Sequence, residues 1–350
     1  MKKVSKLFTL LCFVVAFTSC SKDDEPIVEV APSDGSTLTL NGLIGTEAGT
    51  SAGNSVFVDF SADQQAAVAR ESWDLGFYSG SDFRVIINHS VGATAVAIDK
   101  TDLTQVTAAD TTALTSVLAL GLGQGSFANL DPVDGNASTY LSGTVIKSVS
   151  ATDAENKVYI INRGTGVVAP NRGWEKIRII RNGTGYTLQY AKITETTFKT
   201  LNVPKDPTYN FNYVSFTGGA VKVEPLKADW DIEWGYTTYK ANATTPYTYS
   251  DFVIINFVGG VTAAEVLTST VAYADFNEAN LSGVTFVGTR DVIGSNWRAT
   301  TGTVGVKTDR FYVVKDGSGN IYKLKFVSFH ASDSGVRGKP VVEYKLVKKA

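Results

Sequence analysis

The amino-acid sequence predicts an all-β protein made of two tandem antiparallel β domains, each with a short helix in its middle segment. Three observations lead to this prediction. β-branched and aromatic residues are abundant, and 32 glycines are available for turns, a composition that favours strands over helices. Segments such as Lys176–Ile179 alternate polar and apolar side chains, as a strand with one wet face does. The third observation is an internal repeat.

The repeat consists of sequence blocks that recur in the same order in the second half of the chain. The matched blocks are Ser72–Leu75 with Asp229–Ile232, Ser81–Asn88 with Ser250–Asn256, Tyr159–Gly166 with Tyr312–Gly319, Lys176–Ile179 with Lys323–Phe326, and Leu188–Tyr190 with Val342–Tyr344. Their separation is far longer than a solenoid unit, so the repeat predicts two complete domains rather than stacked repeats.

Domain boundaries follow from the repeat and from breaks in periodicity. Pro204 and Pro207 interrupt the strand pattern between the two halves. Short helices are expected in the middle segments, at Ala108–Leu118 and Ala263–Tyr273. The predicted organisation is a signal peptide at residues 1–19, a lipidated cysteine and flexible tether at 20–36, a first β domain at 37–201 and a second at 202–350.

The N-terminus carries a targeting signal. Basic residues precede the apolar run Leu7–Phe17, which is too short to span a membrane. The run ends in small residues before Cys20, a pattern that resembles a lipobox. We therefore expect Cys20 to be lipidated; the alternative is an ordinary signal peptide with an incidental cysteine. The acidic segment Ser21–Glu25 resembles the surface-export signal of Bacteroidota-type lipoproteins. The expected location is the outer membrane, lipid-anchored and facing the cell exterior.

Composition excludes several kinds of chemistry. The only cysteines are Cys12 and Cys20, and the histidines are His89 and His330. A body without cysteine has no disulfide, thiolate metal site or cysteine nucleophile, and the scarcity of histidine argues against acid–base catalysis. Without the three signal-peptide lysines, the 32 basic side chains become 29, against 34 acidic ones. No basic stretch suggests nucleic acid. We expect neither an enzyme nor a metal site built from protein side chains alone.

The repeated blocks resemble the HmuY family of haem-binding surface lipoproteins. The resemblance is carried by the Trp-Asp strand at Trp73 and Trp230, the apolar strand that ends in asparagine, and the hairpin near the end of each half. It covers nearly all of residues 38–346 as two family domains in tandem. It implies an all-β fold of HmuY-like type, haem or porphyrin as the ligand, iron acquisition as the role and a TonB-dependent outer-membrane receptor as the partner. The alternative is a non-catalytic binding or adhesion module with another ligand or protein partner.

The haem ligands that the resemblance implies cannot be carried over. Family members grip iron with histidine or methionine side chains from the middle segment, and residues 99–150 and 262–307 contain neither. His89 and His330, one in each half, could instead clamp one haem between the domains, because neutral imidazole is a good axial ligand. The alternative is two unrelated histidines at strand ends. Tyr140 and Tyr273 are further candidates, since tyrosine also binds ferric haem.

Two groups of aromatic residues complete the prediction. Trp73-Asp74 and Trp230-Asp231 are interpreted as core anchors, in which the indole packs and the carboxylate accepts hydrogen bonds from turn amides. An insertion that only the second half contains, residues 235–249, concentrates tyrosines. They are either the cover of a long hairpin or a binding loop for a flat or sugar ligand or a receptor. These tyrosines are Tyr236, Tyr239, Tyr247 and Tyr249.

Overall fold

The computed structural model describes residues 31–121 and 123–350. The predicted signal peptide, Cys20 and most of the predicted tether lie outside these residues. Among the helices that the structure describes, none is both long enough and apolar enough to cross a bilayer. The predicted all-β fold of HmuY-like type is confirmed, because antiparallel sheets make up most of the regular structure.

The sequence half that ends near residue 203 contributes ten strands. They are β1 (Gly35–Thr39), β2 (Asn54–Asp59), β3 (Gln64–Ala69), β4 (Leu75–Tyr78), β5 (Val85–Ile87), β6 (Thr94–Ile98), β7 (Val158–Asn162), β8 (Trp174–Asn182), β9 (Gly185–Lys192) and β10 (Lys199–Val203). The other half contributes β11 (Phe211–Ser215), β12 (Gly219–Val221), β13 (Ile232–Lys240), β14 (Pro246–Ile255), β15 (Thr262–Leu267), β16 (Arg298–Ala299), β17 (Gly305–Val306), β18 (Arg310–Lys315), β19 (Ile321–Ser328) and β20 (Val341–Lys348).

Helices are short and lie between the strands. The α-helices are α1 (Leu114–Val117) and α2 (Ala137–Ser142). The 3-10 helices are Gly49–Ser51, His89–Val91, Leu103–Gln105, Ala108–Thr111, Phe127–Asn129, Asp153–Glu155, Glu278–Gly283 and Ala331–Asp333.

Strand pairing interlocks the two sequence halves. The β2–β3 hairpin pairs with β13, and the β11–β12 hairpin pairs with β4, each in an antiparallel four-stranded sheet. Likewise β1 pairs with β20 at the edge of one five-stranded sheet, whereas β10 pairs with β9 of its own half at the edge of the other. Each half therefore lends its first strands to the sheets of the other half.

The pairing groups the strands into two bodies. The central body, residues 75–221, contains β4 to β12, and the terminal body, residues 35–69 and 232–348, contains β1 to β3 and β13 to β20. Contacts nevertheless join Pro32–Ala350 into one unit. The boundary predicted between residues 201 and 202 falls within β10, and the assignment of two tandem sequence domains stays a prediction.

Three apolar cores explain why several strands are apolar on both faces. Val56 and Val58 of β2 point into the core of the terminal body, whereas Phe57 points into the core between the bodies. In β5, Val85 and Ile87 pack in the core of the central body, and Ile86 faces the same intervening core. Because successive strand residues face opposite sides, both sides of these strands must be apolar. The intervening core is called the seam below.

One predicted helix is wrong and one is confirmed. Ala108–Leu118 contains a 3-10 turn and α1, as expected. Ala263–Tyr273 instead begins with β15, which pairs with β18 along its whole length. Ala263 and Ala264 are both buried, one on each face of the sheet. Ladder hydrogen bonds and burial thus outweigh the helix propensity of alanine. The 3-10 helix of this middle segment lies later, at Glu278–Gly283.

Candidate functional site

The Trp-Asp pairs are core anchors, as predicted, and each anchors one sequence half to the other. Asp74 accepts a hydrogen bond from the amide of Phe216 at 2.8 Å, and Asp231 accepts one from the amide of Phe60 at 2.8 Å. Both carboxylates are buried. The repeat therefore preserves a hydrogen bond between the two sequence halves.

Charge compensation differs between the two anchors. Arg163 contacts the Asp74 carboxylate through two nitrogens at 2.9 and 3.0 Å, and Arg172 approaches it at 3.0 Å. The residue that corresponds to Arg163 in the second half is Asp316. Burial, together with the nearby carboxylates of Asp59 and Asp316, raises the pKa of Asp231 well above its ordinary value.

His89 follows a second repeated anchor, the buried asparagine that ends the apolar strand. Asn88 and Asn256 each donate to the carbonyl of the tryptophan in their own half. His89 then contacts Thr237 through Nδ1 at 3.0 Å, and its ring packs edge-on against Trp73. Burial and the charge of Arg290 lower the pKa of His89 to about 3, so the imidazole is neutral at physiological pH.

His330 lies in a different setting. Its Nδ1 accepts from the amide of Ser332 at 3.2 Å and lies 2.9 Å from the Ser332 hydroxyl. It thereby caps the short helix Ala331–Asp333 at the end of β19. His89 lines a cavity in the seam, and His330 is not among the residues that line it. The haem clamp between these two histidines stays a prediction, without support from a shared pocket.

The tyrosine-rich insertion is a long hairpin formed by β13 and β14. Tyr239 packs against Tyr249 and Phe252, with ring centroids 5.9 and 4.8 Å apart, and its hydroxyl donates to Asp291 at 2.7 Å. Tyr236 lies under the guanidinium of Arg70. Tyr247 stacks edge-on against Tyr249. This geometry matches the first alternative, in which the tyrosines cover the hairpin, and their role in binding stays a prediction.

The two tyrosines of the middle segments are both engaged in packing. Tyr140 is buried in the seam, edge-on to Phe257 at 5.1 Å. Tyr273 packs edge-on against Phe311 at 5.5 Å, and its hydroxyl contacts the carbonyls of Lys323 and Glu343 at 3.4 Å. Neither lines the larger cleft described next.

An open cleft lies beside β15 in the middle segment of the second half. Its volume is about 670 Å³, and β15, the 3-10 helix Glu278–Gly283 and the strand-like residues after that helix form its walls. Leu267 and Val287 line it and are 44% and 40% exposed. Exposed apolar side chains that border a concave surface are typical of ligand sites. The other apolar lining residues are Ala264, Val266, Val271, Phe276, Ala279, Val284 and Val292.

The lining of the open cleft does not fit an iron-ligating role. Among the described residues that form it there is no histidine, methionine, cysteine or tyrosine. Glu265, its acidic member, is already bound by Arg310 at 3.0 Å and by Asn296 at 2.8 Å. The cleft offers apolar contact and a few hydroxyl and amide groups at its rim.

Sequence reasoning missed both the cleft and the charged residues of the seam. Leu267 and Val287 look like ordinary core residues in the sequence, because their exposure depends on how the following segment folds over them. Arg290 and Glu224 lie in loops without a motif. No motif in the sequence marks the cleft or these two charged residues.

The fold and these sites define a class of all-β protein whose repeated Trp-Asp and asparagine residues are structural anchors and which has an open cleft partly lined by apolar side chains. The family model described as HmuY protein matches residues 51–344. The chain therefore belongs to the HmuY family. No curated protein and no solved structure matches the chain.

Proposed function

We propose that this protein is a non-catalytic surface lipoprotein that binds haem or a related porphyrin in the open cleft and passes it to a TonB-dependent receptor. The observation that carries the proposal is an open cleft with exposed apolar side chains in the middle segment of a HmuY-family chain. Lipidation at Cys20 would hold the protein at the outer membrane, where such a receptor lies. No step in this role needs a catalytic group.

The cleft is suited to the face of a macrocycle. A porphyrin is flat and largely apolar, and burying exposed valine and leucine side chains against such a surface is favourable by about 25 cal/mol per Å² of apolar area. Leu267 and Val287 leave apolar area exposed in the cleft, and a ligand that fills the cleft would cover it. Binding would therefore depend on apolar contact.

We do not expect iron ligation to contribute to binding, because histidine, methionine, cysteine and tyrosine are absent from the described lining of the cleft. We therefore expect metal-free porphyrin to bind as haem does. This expectation separates the proposal from the clamp by His89 and His330, in which affinity comes from the axial bonds.

Titration of the purified full-length protein with haemin, followed at the Soret band, tests the site. Ala279 is exposed on the 3-10 helix that borders the cleft, and Ala279→Trp would fill the entrance. We expect at least about tenfold weaker binding, equal to about 1.4 kcal/mol. The matched control is Ala109→Trp, an exposed alanine on a 3-10 helix of the first half, which should bind as the unmodified protein does.

Two other outcomes of the haemin titration would favour a different site or a different function. Binding that resists Ala279→Trp but disappears in His89→Ala or His330→Ala would favour the clamp over the cleft. No Soret change at micromolar haemin would favour the alternative of an adhesion or binding module with another partner, for which the tyrosine-covered hairpin is the first surface to test.

A further inference from the structure

A small cavity in the seam lies apart from the open cleft and has an unusual polar lining. Its volume is about 40 Å³. One water molecule needs roughly 10–15 Å³ by this measure, so the space holds about three water molecules or one small ion. The polar residues that line it include Tyr140, Tyr213, Glu224, Trp230, Glu233 and Arg290.

Arg290 is a buried cation without an ion pair. Its side chain is 2% exposed, and among the described residues no carboxylate oxygen lies within 4.0 Å of its guanidinium. One nitrogen donates to the carbonyl of Val133 at 2.7 Å, while Nε has no partner in the described chain. A buried charge is costly unless it is paired and hydrogen-bonded.

A second donor on the same cavity has no acceptor either. The indole Nε1 of Trp230, a residue 6% exposed, is without a partner among the described residues. Unmet buried donors are rare in folded proteins, and each calls for an acceptor. Two residues of the cavity lining, Arg290 and Trp230, therefore each carry a donor that lacks an acceptor in the described part of the chain.

The acidic neighbours do not cancel that charge. Burial raises the pKa of Glu224 to about 8, although the amide of Phe211 donates to its carboxyl group, and burial raises the pKa of Glu233 as well. Asp131, close to the other side of Arg290, accepts from the amides of Ile87 and Val145 at 2.8 and 2.9 Å. Its pKa is raised to about 7 by burial. Near neutral pH Glu224 is therefore largely protonated and Asp131 partly protonated, so neither supplies Arg290 with a full counter-charge.

We propose that the seam cavity binds one small monovalent anion, such as chloride or a short carboxylate, held by the Arg290 guanidinium and the Trp230 indole. The anion would supply the acceptor that both donors lack. It would also join the two bodies, because Arg290 comes from the terminal body and bonds to the carbonyl of Val133 in the central body.

The melting temperature of the full-length protein tests this site. It is measured in gluconate, an anion too large for the cavity, and then with gluconate replaced by chloride, nitrate or acetate at constant ionic strength. A ligand that binds only the folded state raises the melting temperature, and we expect a saturable rise of about 2 °C or more. The anion that acts at the lowest concentration separates chloride from carboxylate. Arg290→Met should abolish the rise, and the control Arg178→Met, an arginine that donates to carbonyls away from the cavity, should retain it.

Trp230→Phe keeps the aromatic packing and removes one donor, so it tests the site even if Arg290→Met does not fold. We expect it to raise the anion concentration of the half-maximal effect several-fold. In crystals grown with bromide, an anomalous peak should lie within hydrogen-bonding distance of Arg290 Nε. No specific rise, an equal rise in Trp230→Phe, or a cavity that holds water alone would overturn the proposal.

Discussion

The outer faces of the two five-stranded sheets differ although their strands correspond. In the central body, Leu103, Val106 and Leu118 from the middle segment cover Val158 and Ile160, and all five side chains are buried. In the terminal body, Phe276 covers Phe311 and Val313, but Leu267 and Val287 remain exposed along the open cleft. The same strand framework thus carries a closed face in one body and an open one in the other. The difference arises in the middle segment, where we expect function to have diverged.

The largest expected effect concerns the better-compensated anchor. Asp74→Asn keeps an acceptor for the amide of Phe216 but leaves Arg163 and Arg172 buried without a counter-charge. Breaking a buried pair in this way costs about 3–5 kcal/mol of the free energy of unfolding, measured by urea denaturation. Asp231→Asn, which breaks no ion pair within residues 31–121 and 123–350, is the matched variant. Equal losses in the two variants would contradict the contrast between the anchors.

The second prediction compares the outer faces directly. Leu118 is fully buried, so Leu118→Ala should lower the free energy of unfolding by about 2–5 kcal/mol. Leu267 is exposed in the cleft, so Leu267→Ala should change it by no more than about 0.5 kcal/mol. The same urea experiment measures both. A large loss in Leu267→Ala would mean that the cleft is part of the core.

The third and smaller prediction is a pH dependence that arises from the Asp231 anchor. The folded-state pKa of Asp231 is raised, so its contribution to stability is complete below the ordinary pKa of 3.8 and is lost as the pH rises through the folded-state pKa. Asp231→Asn removes this loss. Between pH 4 and pH 7 the variant should therefore gain stability relative to the unmodified protein. A constant difference across that range would refute the assignment.

The sequence predicts strands and anchors well, but not which strands pair. Trp73, Trp230 and the asparagines that end the apolar strands recur with fixed spacing, and the structure gives each copy the same role. The pairing between halves is invisible in the sequence, because β4 and β13 come from matching blocks and offer similar edges to the β2–β3 hairpin. Nothing in local periodicity says which of the two edges that hairpin joins.

The position of the candidate site is even harder to predict from the sequence than the strand pairing. The family resemblance pointed to the middle segments, and the open cleft lies in one of them, but histidine-based reasoning led to His89 and His330, which lie in unrelated environments. An apolar residue in the sequence does not reveal whether a neighbouring segment covers it. Leu118 and Leu267 have similar sequence surroundings and opposite exposure. Only the folded middle segment separates them.

The central functional claim is that the cleft binds the porphyrin face and not its iron. The most direct measurement is the ratio of the dissociation constants of haemin and metal-free protoporphyrin IX for the full-length protein, obtained by quenching of tryptophan fluorescence. We predict a ratio within about threefold of one, a difference below about 0.7 kcal/mol. Haemin binding tighter by about a hundredfold, lost in His89→Ala or His330→Ala, would show that axial ligation carries the affinity and would contradict the claim.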